Sequence, residues 1–344
     1  MRWTFLLGIL TLSLSAAHAA SRLEPQAIEQ AAVSEKMPAD GQTSPLLVKV
    51  EVLLDRAKFS PGQIDGKTGE NVTKALAAYA DAHSLKQDAS LGKKKDEFLT
   101  KEIVSSLSSD NRPILTEYVL TDQDLKGPFT KTIPAKMEKM KGMKKVDYRN
   151  VKEAMAERFH VSERLLDMLN PGISINRAGQ KITVPNVLID ESKKGSVAKI
   201  EVDKDRQTVK AYGPAGELVA FFSATVGSEE KPSPVGSFKI VSIDRNPNYR
   251  YNPDYKFKGV KSKRPFNIGP GPNNPVGIEW IGLSADGYGI HGTPDPSKVG
   301  KSASHGCVRL TNWDAVALAS MVKKGVPVQF IGASDAEAKA PAKP

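Results

Sequence analysis

Residues 197–227 read VAKIEVDKDRQTVKAYGPAGELVAFFSATVG, and apolar and polar residues alternate along most of this stretch. Successive side chains of a β-strand point to opposite faces, so the alternation predicts half-buried strands. Polar breaks at "KD" and "PAGE" divide the stretch into short runs, which is typical of antiparallel hairpins. The segments "GSFKIVSID", "GIEWIGLS" and "GYGIHG" continue the pattern. We therefore expect a mainly antiparallel β domain over residues 197–332.

One helix is predicted near the end of this domain, in TNWDAVALASMVKKG (311–325). Thr311 or Asn312 caps its first turn, and Gly325 ends it after two lysines that interact favourably with the helix dipole. The following "VPVQFIG" returns to a strand pattern and closes the sheet. The Ala- and Pro-rich tail, 333–344, is predicted to be disordered.

The amino terminus has the pattern of an export signal. Residues 1–19 carry one arginine, an apolar run and the small residues "AHA", which predicts a signal peptide cleaved after Ala19. The apolar run is shorter than the roughly 20 residues that span a bilayer. No other segment is apolar enough to span, so we expect an exported protein of the periplasm or cell envelope without a transmembrane anchor. Residues 20–43 are polar and are predicted to form a flexible leader.

The net charge is positive, with 49 Lys and Arg against 39 Asp and Glu, or +10. Eight of the basic residues lie between Lys126 and Arg149, opposed only by Glu138 and Asp147. Export argues against nucleic acid as the partner, so this basic segment favours an anionic polymer of the envelope. A basic linker that merely stays solvated explains the pattern equally well.

Three segments precede the β domain. Residues 44–109 predict two helices around the turn FSPGQIDGKTG, and they resemble the peptidoglycan-binding domain in that turn and in its leucine-rich and alanine-rich helices. Residues 110–147 form the basic linker, with a strand in PILTEYVL and a short helix ended by Gly142. Residues 148–190 resemble a LysM repeat in FHVSERLLDMLNP and GQKITVP. We therefore expect a multidomain chain with a small all-α module, an α+β LysM-like module and the β domain.

Cys307 is the only cysteine of the chain, and it lies in SHGCVR (304–309), 16 residues after His291. An unpaired thiol in an oxidising compartment is a liability unless it has a function. A thiol attacks a carbonyl as thiolate, so it needs a base such as histidine. The tetrahedral product needs hydrogen-bond donors, which the backbone around Gly306 can supply. This clustering favours a nucleophilic cysteine.

Two other roles of the cysteine are weaker. His291, His305 and Cys307 provide three zinc ligands, but no fourth ligand is evident. A redox sensor would need a resolving cysteine. The chain also has no glycine-rich loop of the phosphate-binding type, so we expect neither a metal nor a cofactor.

The stretch GYGIHGTPDPSKVGKSASHGCVRL (287–310) resembles the active-site signature of the YkuD family of L,D-transpeptidases, and the resemblance extends from about Lys199 to Gly332. It implies a β-sandwich catalytic domain with a C-terminal helix. It also implies that Cys307 is the nucleophile and His291 the base, the latter oriented by the carbonyl of Gly292. The remaining members of the implied site, which shape the pocket, form the oxyanion hole or contact substrate, are Ser304, His305, Gly306 and Arg309.

The resemblance implies two acyl transfers. The cysteine attacks the L,D bond of a peptidoglycan tetrapeptide stem and releases D-alanine. An amine then takes the acyl group, either on a second stem, giving a 3-3 cross-link, or on an outer-membrane lipoprotein. A hydrolytic peptidase or carboxypeptidase of the envelope and a non-catalytic wall-binding protein remain alternatives. An NlpC/P60 peptidase is disfavoured because its cysteine precedes its histidine, whereas here His291 precedes Cys307.

Overall fold

The computed structural model describes residues 23–32, 41–85, 99–187, 197–227, 233–255, 260–301 and 306–332. The predicted signal peptide and tail lie outside these ranges, as do Ser304 and His305. Among the helices in the described ranges, none has the length and apolar character needed to cross a membrane.

Eight α-helices and fourteen strands occur in the described ranges. The helices are α1 (Pro25–Gln30), α2 (Pro45–Arg56), α3 (Glu70–Ala82), α4 (Lys101–Leu107), α5 (Asp122–Lys126), α6 (Val151–Arg158), α7 (Glu163–Leu169) and α8 (Asn312–Met321). The strands are β1 (Phe59–Ser60), β2 (Leu115–Val119), β3 (Lys181–Pro185), β4 (Lys199–Asp203), β5 (Thr208–Tyr212), β6 (Leu218–Ser223), β7 (Thr225–Val226), β8 (Gly236–Arg245), β9 (Tyr249–Tyr251), β10 (Phe266–Ile268), β11 (Glu279–Leu283), β12 (Gly289–His291), β13 (Val308–Arg309) and β14 (Pro327–Ile331).

The C-terminal domain, residues 197–332, supplies nine strands of a ten-stranded sheet with the order β1-β6-β5-β4-β14-β8-β11-β12-β13-β7, and the edge strand β1 comes from residues 59–60. Strand β8 joins its two halves, because its first residues pair with β14 and its later residues pair with β11. Most pairings are antiparallel, as the alternation predicts, but β14 with β4 and β12 with β13 are parallel. Apolar side chains of both halves and of α8 share one core.

Helix α8 begins where the sequence predicts it. Thr311 is the N-cap, and its hydroxyl accepts a hydrogen bond from the Asp314 amide at 3.1 Å. The predicted end is wrong: the helix stops at Met321, before the two lysines. The Met321 carbonyl accepts from the Val197 amide at 3.1 Å, so the helix end is tied to the first residue of the domain. The helix therefore ends at a tertiary contact that local propensity does not reveal.

Residues 23–187 form what we call the N-terminal unit, in which the two predicted modules share a single hydrophobic core. The predicted strand in 110–147 is confirmed as β2, which pairs antiparallel with β3 of the LysM-like segment. The prediction of a flexible leader is wrong for part of 20–43, because α1 is helical and Ile28 is fully buried in this core. Leu23 and Ala31 are buried in the same core, and the Glu29 carboxylate accepts from the Ile114 and Leu115 amides at 3.1 and 2.9 Å. Tertiary contacts of this kind hold a short helix whose sequence has no clear period.

The predicted all-α module also contributes a strand. β1 pairs in parallel with β6, placing Phe59 beside Phe221 at the edge of the C-terminal sheet. Phe221 is part of the core of the N-terminal unit. The turn that resembles a peptidoglycan-binding signature is therefore largely buried between the two parts of the chain.

Further contacts fix the N-terminal unit to the start of α8. The Ser60 hydroxyl donates to the Asp314 carboxylate at 3.0 Å. His160 occupies a turn with φ of 56°. Its ring stacks on Trp313 with centroids 5.0 Å apart, and its Nδ1 lies 3.0 Å from an Asp55 carboxylate oxygen.

Residues 127–149 of the N-terminal unit, which we call the strap, extend onto the C-terminal domain. The predicted basic helix in it is a single 3-10 turn, Met137–Met140. Met140 and Val146 pack into a small core with side chains of β9 and β10. The Val146 amide donates to the Pro270 carbonyl at 2.9 Å, so the strap is tied to the C-terminal domain by backbone as well. The apolar positions of the strap face inward while its lysines stay exposed, so it is more than a solvated linker.

Candidate active site

Parallel pairing of β12 with β13 brings the histidine and the cysteine of the signature together. His291 is in register with Arg309, and the Leu310 amide donates to the His291 carbonyl at 2.8 Å. Cys307 directly precedes β13, and its thiol contacts the carbonyl of Gly287, two residues before β12. Strand spacing and rise place the Cα atoms of Cys307 and His291 roughly 8 Å apart. Side chains at this separation can meet above the sheet.

His291 is held in one orientation. Its side chain is buried, and its Nδ1 lies 2.6 Å from the Gly292 carbonyl oxygen. A carbonyl only accepts, so Nδ1 carries the proton and Nε2 is left as the basic nitrogen. The ring also stacks on Trp280, its register partner on β11, with centroids 5.5 Å apart. The predicted orientation of His291 by Gly292 is thus present in the structure.

The environment keeps His291 neutral. Burial, and then the positive charge of Arg309, lower the pKa of the imidazole to about 3. A histidine with this pKa is unprotonated throughout the neutral range, which a proton acceptor must be. The same guanidinium favours a negative charge on the neighbouring thiol.

Cys307 is half-buried at the edge of this arrangement. Its thiol donates to the Gly287 carbonyl at 3.7 Å, a distance that suits sulfur. Burial raises the pKa of the Tyr249 phenol, and the negative charge of the nearby Cys307 raises it further. Burial lowers the pKa of Arg309, and the negative charges of Cys307 and Tyr249 act in the opposite direction. Thiol, phenol and guanidinium therefore form one electrostatic group.

Gly306 gives the cysteine its local geometry. Its φ of 98° lies in a region that L side chains rarely adopt. The Ser233 hydroxyl donates to the Gly306 carbonyl at 2.8 Å and so fixes the peptide plane that precedes Cys307. This turn is where the sequence predicts the oxyanion donors. Ser304 and His305, also predicted to shape the site, fall in the part of the chain that the structure does not describe.

Asn312 contacts the backbone of Gly292, the residue that follows His291. Its Oδ1 accepts from the Ile278 amide at 3.3 Å and lies against Gly292, where any side chain would collide with it. Its Nδ2 donates to a Glu157 carboxylate oxygen at 2.9 Å and to the Pro272 carbonyl at 3.1 Å. Glu157 belongs to α6, so the N-terminal unit reaches the support of the site.

The sequence did not identify Trp280, Tyr249, Asn312 or Glu157 as parts of the site. Trp280 was assigned to a strand, and alternation alone does not say which neighbour it meets. Glu157 is 155 positions from Asn312 in the chain, and no local pattern connects them. Within the described residues no group of three or more histidine, cysteine, aspartate or glutamate side chains has the arrangement of a metal site.

Gly289 leaves space that Trp280 fills. A Cβ at this position would lie 2.6 to 2.8 Å from atoms of the indole ring. We expect Gly289→Ala to displace Trp280 from His291 and to lower the free energy of unfolding by about 1–3 kcal/mol. Thermal unfolding measures the loss of stability, and the rate of Cys307 alkylation by iodoacetamide measures the effect of the displaced indole ring on the site.

Gly69→Ala is the matched control, because an added Cβ there meets nothing within 4 Å. Equal stability and equal alkylation rates for the two variants would contradict the proposed contact between Gly289 and the indole ring.

Comparison with known proteins agrees with this geometry. Residues 198–330 match the family model of the YkuD L,D-transpeptidase catalytic domain. A Bacillus licheniformis protein named for L,D-transpeptidase YkuD is 32% identical over 52% of this chain and 92% of its own length. The YkuD protein of Bacillus subtilis is 27% identical over 51% of this chain and 90% of its own length.

Other relatives are longer than the matched region. YcfS of Escherichia coli, named as a probable L,D-transpeptidase, is 28% identical over 52% of this chain and 58% of its own length. Crystalline L,D-transpeptidase 3 of Mycobacterium tuberculosis, with a faropenem-derived adduct, is 17% identical over 44% of this chain and 74% of that chain, with a TM-score of 0.33. The identity and coverage shared with the Bacillus licheniformis protein place the chain in the YkuD family of L,D-transpeptidases, which are cysteine-dependent transpeptidases.

Proposed function

We propose that Cys307 is the nucleophile of this transpeptidase and His291 its base. The observation that supports the proposal most is the parallel pairing of β12 and β13, which puts the buried, neutral His291 in register with Arg309, two residues after Cys307. Arg309, in register with His291, favours the thiolate by its charge. Proton acceptor, nucleophile and local positive field then lie near one another.

The proposed donor is a peptidoglycan tetrapeptide stem. As the Cys307 sulfur bonds to the carbonyl carbon of the L,D bond, its proton passes to Nε2 of His291. The C–N bond then breaks, and the same proton moves to the nitrogen of the departing D-alanine. Backbone N–H groups at the Gly306–Cys307 turn are proposed to stabilise the oxyanion of the tetrahedral intermediate.

In the second transfer an amine attacks the thioester. Its nitrogen bonds to the carbonyl carbon, the C–S bond breaks, and His291 carries the proton of the amine back to the sulfur. We propose the side-chain amine of a second stem as acceptor, giving a 3-3 cross-link; a lysine of an outer-membrane lipoprotein is the other candidate. Neither transfer requires a metal or a nucleotide cofactor.

We propose that the protein is exported and acts in the periplasm or cell envelope, where peptidoglycan lies. Residues 1–19 support export by their pattern. Of the two segments that resemble wall binders, the LysM-like one is the better candidate for glycan contact, because its loop 171–174 is exposed. The turn of the other segment is largely buried against β6.

Incubation with disaccharide-tetrapeptides tests the proposed reaction. Mass spectrometry should detect cross-linked dimers and one free D-alanine for each dimer. Free D-alanine without dimers would instead identify a hydrolase, and an absence of turnover would leave only wall binding. Acylation by a carbapenem, monitored as an added mass on the intact protein, provides a second readout of the thiol.

A further inference from the structure

A cavity of about 790 Å³ lies between the N-terminal unit and the C-terminal domain. Roughly half of its lining comes from each part of the chain. Its volume is within the range of about 300–1,000 Å³ that is typical of sites for small organic ligands. Neither part of the chain forms this cavity without the other.

The cavity begins beside the reacting groups. Arg309 and Thr225 line it, and they are register partners on β13 and β7. Arg309 is also in register with His291 and is two residues from Cys307. Arg309 therefore connects the lining of the cavity to the segment that carries the thiol.

The N-terminal unit supplies two kinds of wall. The strap contributes apolar side chains, including Ile133 and Met137, while α6 contributes Glu153 and Glu157. Glu153 already pairs with Arg149 at 2.7 Å and accepts from Asn273 at 3.2 Å. Apolar surface with a few fixed polar groups is the usual composition of a site for an organic ligand.

The lining of the cavity includes both neutral and charged groups. Glu157 accepts from Asn312, and burial raises the pKa of its carboxyl group to about 8, so it is largely uncharged at neutral pH. Lys298 and Asp295, which also line the cavity, pair with each other at 2.6 Å. Arg309 brings a planar guanidinium, which binds carboxylates through two parallel hydrogen bonds.

We propose that the N-terminal unit completes a subsite for a carboxylate-bearing stem peptide, with Arg309 binding the carboxylate and the strap covering the peptide chain. This inference rests on the proposed function and extends it. In this proposal the N-terminal unit binds substrate and does not only attach the enzyme to the wall. The carboxylate can belong to a donor tetrapeptide or to an acceptor tripeptide, and both have the same chemistry.

Ala135→Trp tests the subsite. Ala135 is an exposed residue of the strap that lines the cavity, so an indole there fills space without removing a core side chain. We expect KM for disaccharide-tetrapeptide to rise at least about tenfold, which is about 1.4 kcal/mol of binding. Alkylation of Cys307 by iodoacetamide, which is small and neutral, should stay within about twofold of wild type.

Ala82→Trp is the matched control, because Ala82 is also exposed but does not line the cavity. A KM for Ala135→Trp that equals that of Ala82→Trp would overturn the inference while leaving the proposed transpeptidation intact. A wild-type protein that is alkylated but neither turns over nor reacts with a carbapenem would instead count against the proposed function.

Direct binding tests the subsite without turnover. In a Cys307→Ala background, calorimetry with disaccharide-tripeptide and disaccharide-tetrapeptide measures the two sources of carboxylate separately. Tighter binding of the tetrapeptide assigns the subsite to the donor, and tighter binding of the tripeptide assigns it to the acceptor. Adding Ala135→Trp should weaken the tighter ligand at least about tenfold; unchanged affinity would overturn the inference.

Arg309→Gln tests the recognised group. It should weaken binding of the free-acid peptide and leave the affinity of its carboxamide analogue unchanged, because only the former pairs with a guanidinium. An equal loss of affinity for both ligands would contradict the assignment of Arg309 as the group that binds the carboxylate.

Discussion

Replacing His291 with alanine is expected to lower kcat/KM for tetrapeptide stems by about 10²- to 10⁴-fold, the range that general base catalysis contributes. The neutral imidazole, fixed by the Gly292 carbonyl at 2.6 Å, is the proposed acceptor of the thiol proton. Without it the thiol must lose its proton to water, although Arg309 still favours the thiolate. Steady-state release of D-alanine measures the loss.

The pH profile tests the charge state of His291. Because burial and Arg309 lower the pKa of His291 to about 3, we expect its protonation not to reduce the activity of the wild-type enzyme above about pH 5. His83→Ala is the matched control, since His83 is exposed and stacks on Tyr79 in α3. An acid limb near pH 6.5 that vanishes in His291→Ala would contradict the lowered pKa, whereas activity of that variant close to the control would contradict the assignment of His291 as the base.

Replacing Glu157 with glutamine is expected to remove a large part of the pH dependence of folding stability. Burial raises the pKa of Glu157 from 4.5 to about 8, although the hydrogen bond from Asn312 opposes the shift. Between these values the folded state keeps a proton that the unfolded state releases, so stability is fully present below about pH 4.5 and falls as the pH rises to 8. At pH 7 the loss is about 3 kcal/mol.

Glutamine keeps an oxygen that accepts from Asn312 but has no proton to lose. Chemical denaturation from pH 5 to 8 should therefore give a flatter stability curve for Glu157→Gln than for wild type. Some slope will remain, because the pKa of Asp314 in the same interface is also raised, to about 7. Glu70→Gln, on an exposed side chain, is the control that should retain the wild-type slope. Identical slopes for the two variants would contradict the charge state proposed for Glu157.

The periodic parts of the chain were predictable from sequence, and the reason is local. Strands such as β4 and β5 alternate residue by residue, and Thr311 caps α8 through a bond to an amide three positions away. The candidate site was found because Cys307 and His291 lie close in the chain. Strand β12 and the start of β13 flank the loop between them.

The parts that were missed depend on distant partners. The pairing of Phe59 with Phe221 joins residues 162 positions apart, and two residues of strand leave no pattern to detect. Helix α1 is held by burial of Ile28 against the N-terminal core. The contact between Glu157 and Asn312 needs the relative position of two separately predicted segments. Through Glu157 the N-terminal unit contacts Asn312, whose side chain lies against Gly292 beside His291.

The most direct test of the proposed chemistry is the intact mass of the enzyme quenched during turnover with disaccharide-tetrapeptide. We predict an added mass equal to the substrate minus one alanine, mapped to the peptide that contains Cys307 and absent from Cys307→Ala. Continued turnover by Cys307→Ala, or an adduct on another residue, would contradict the assignment of Cys307 as the nucleophile.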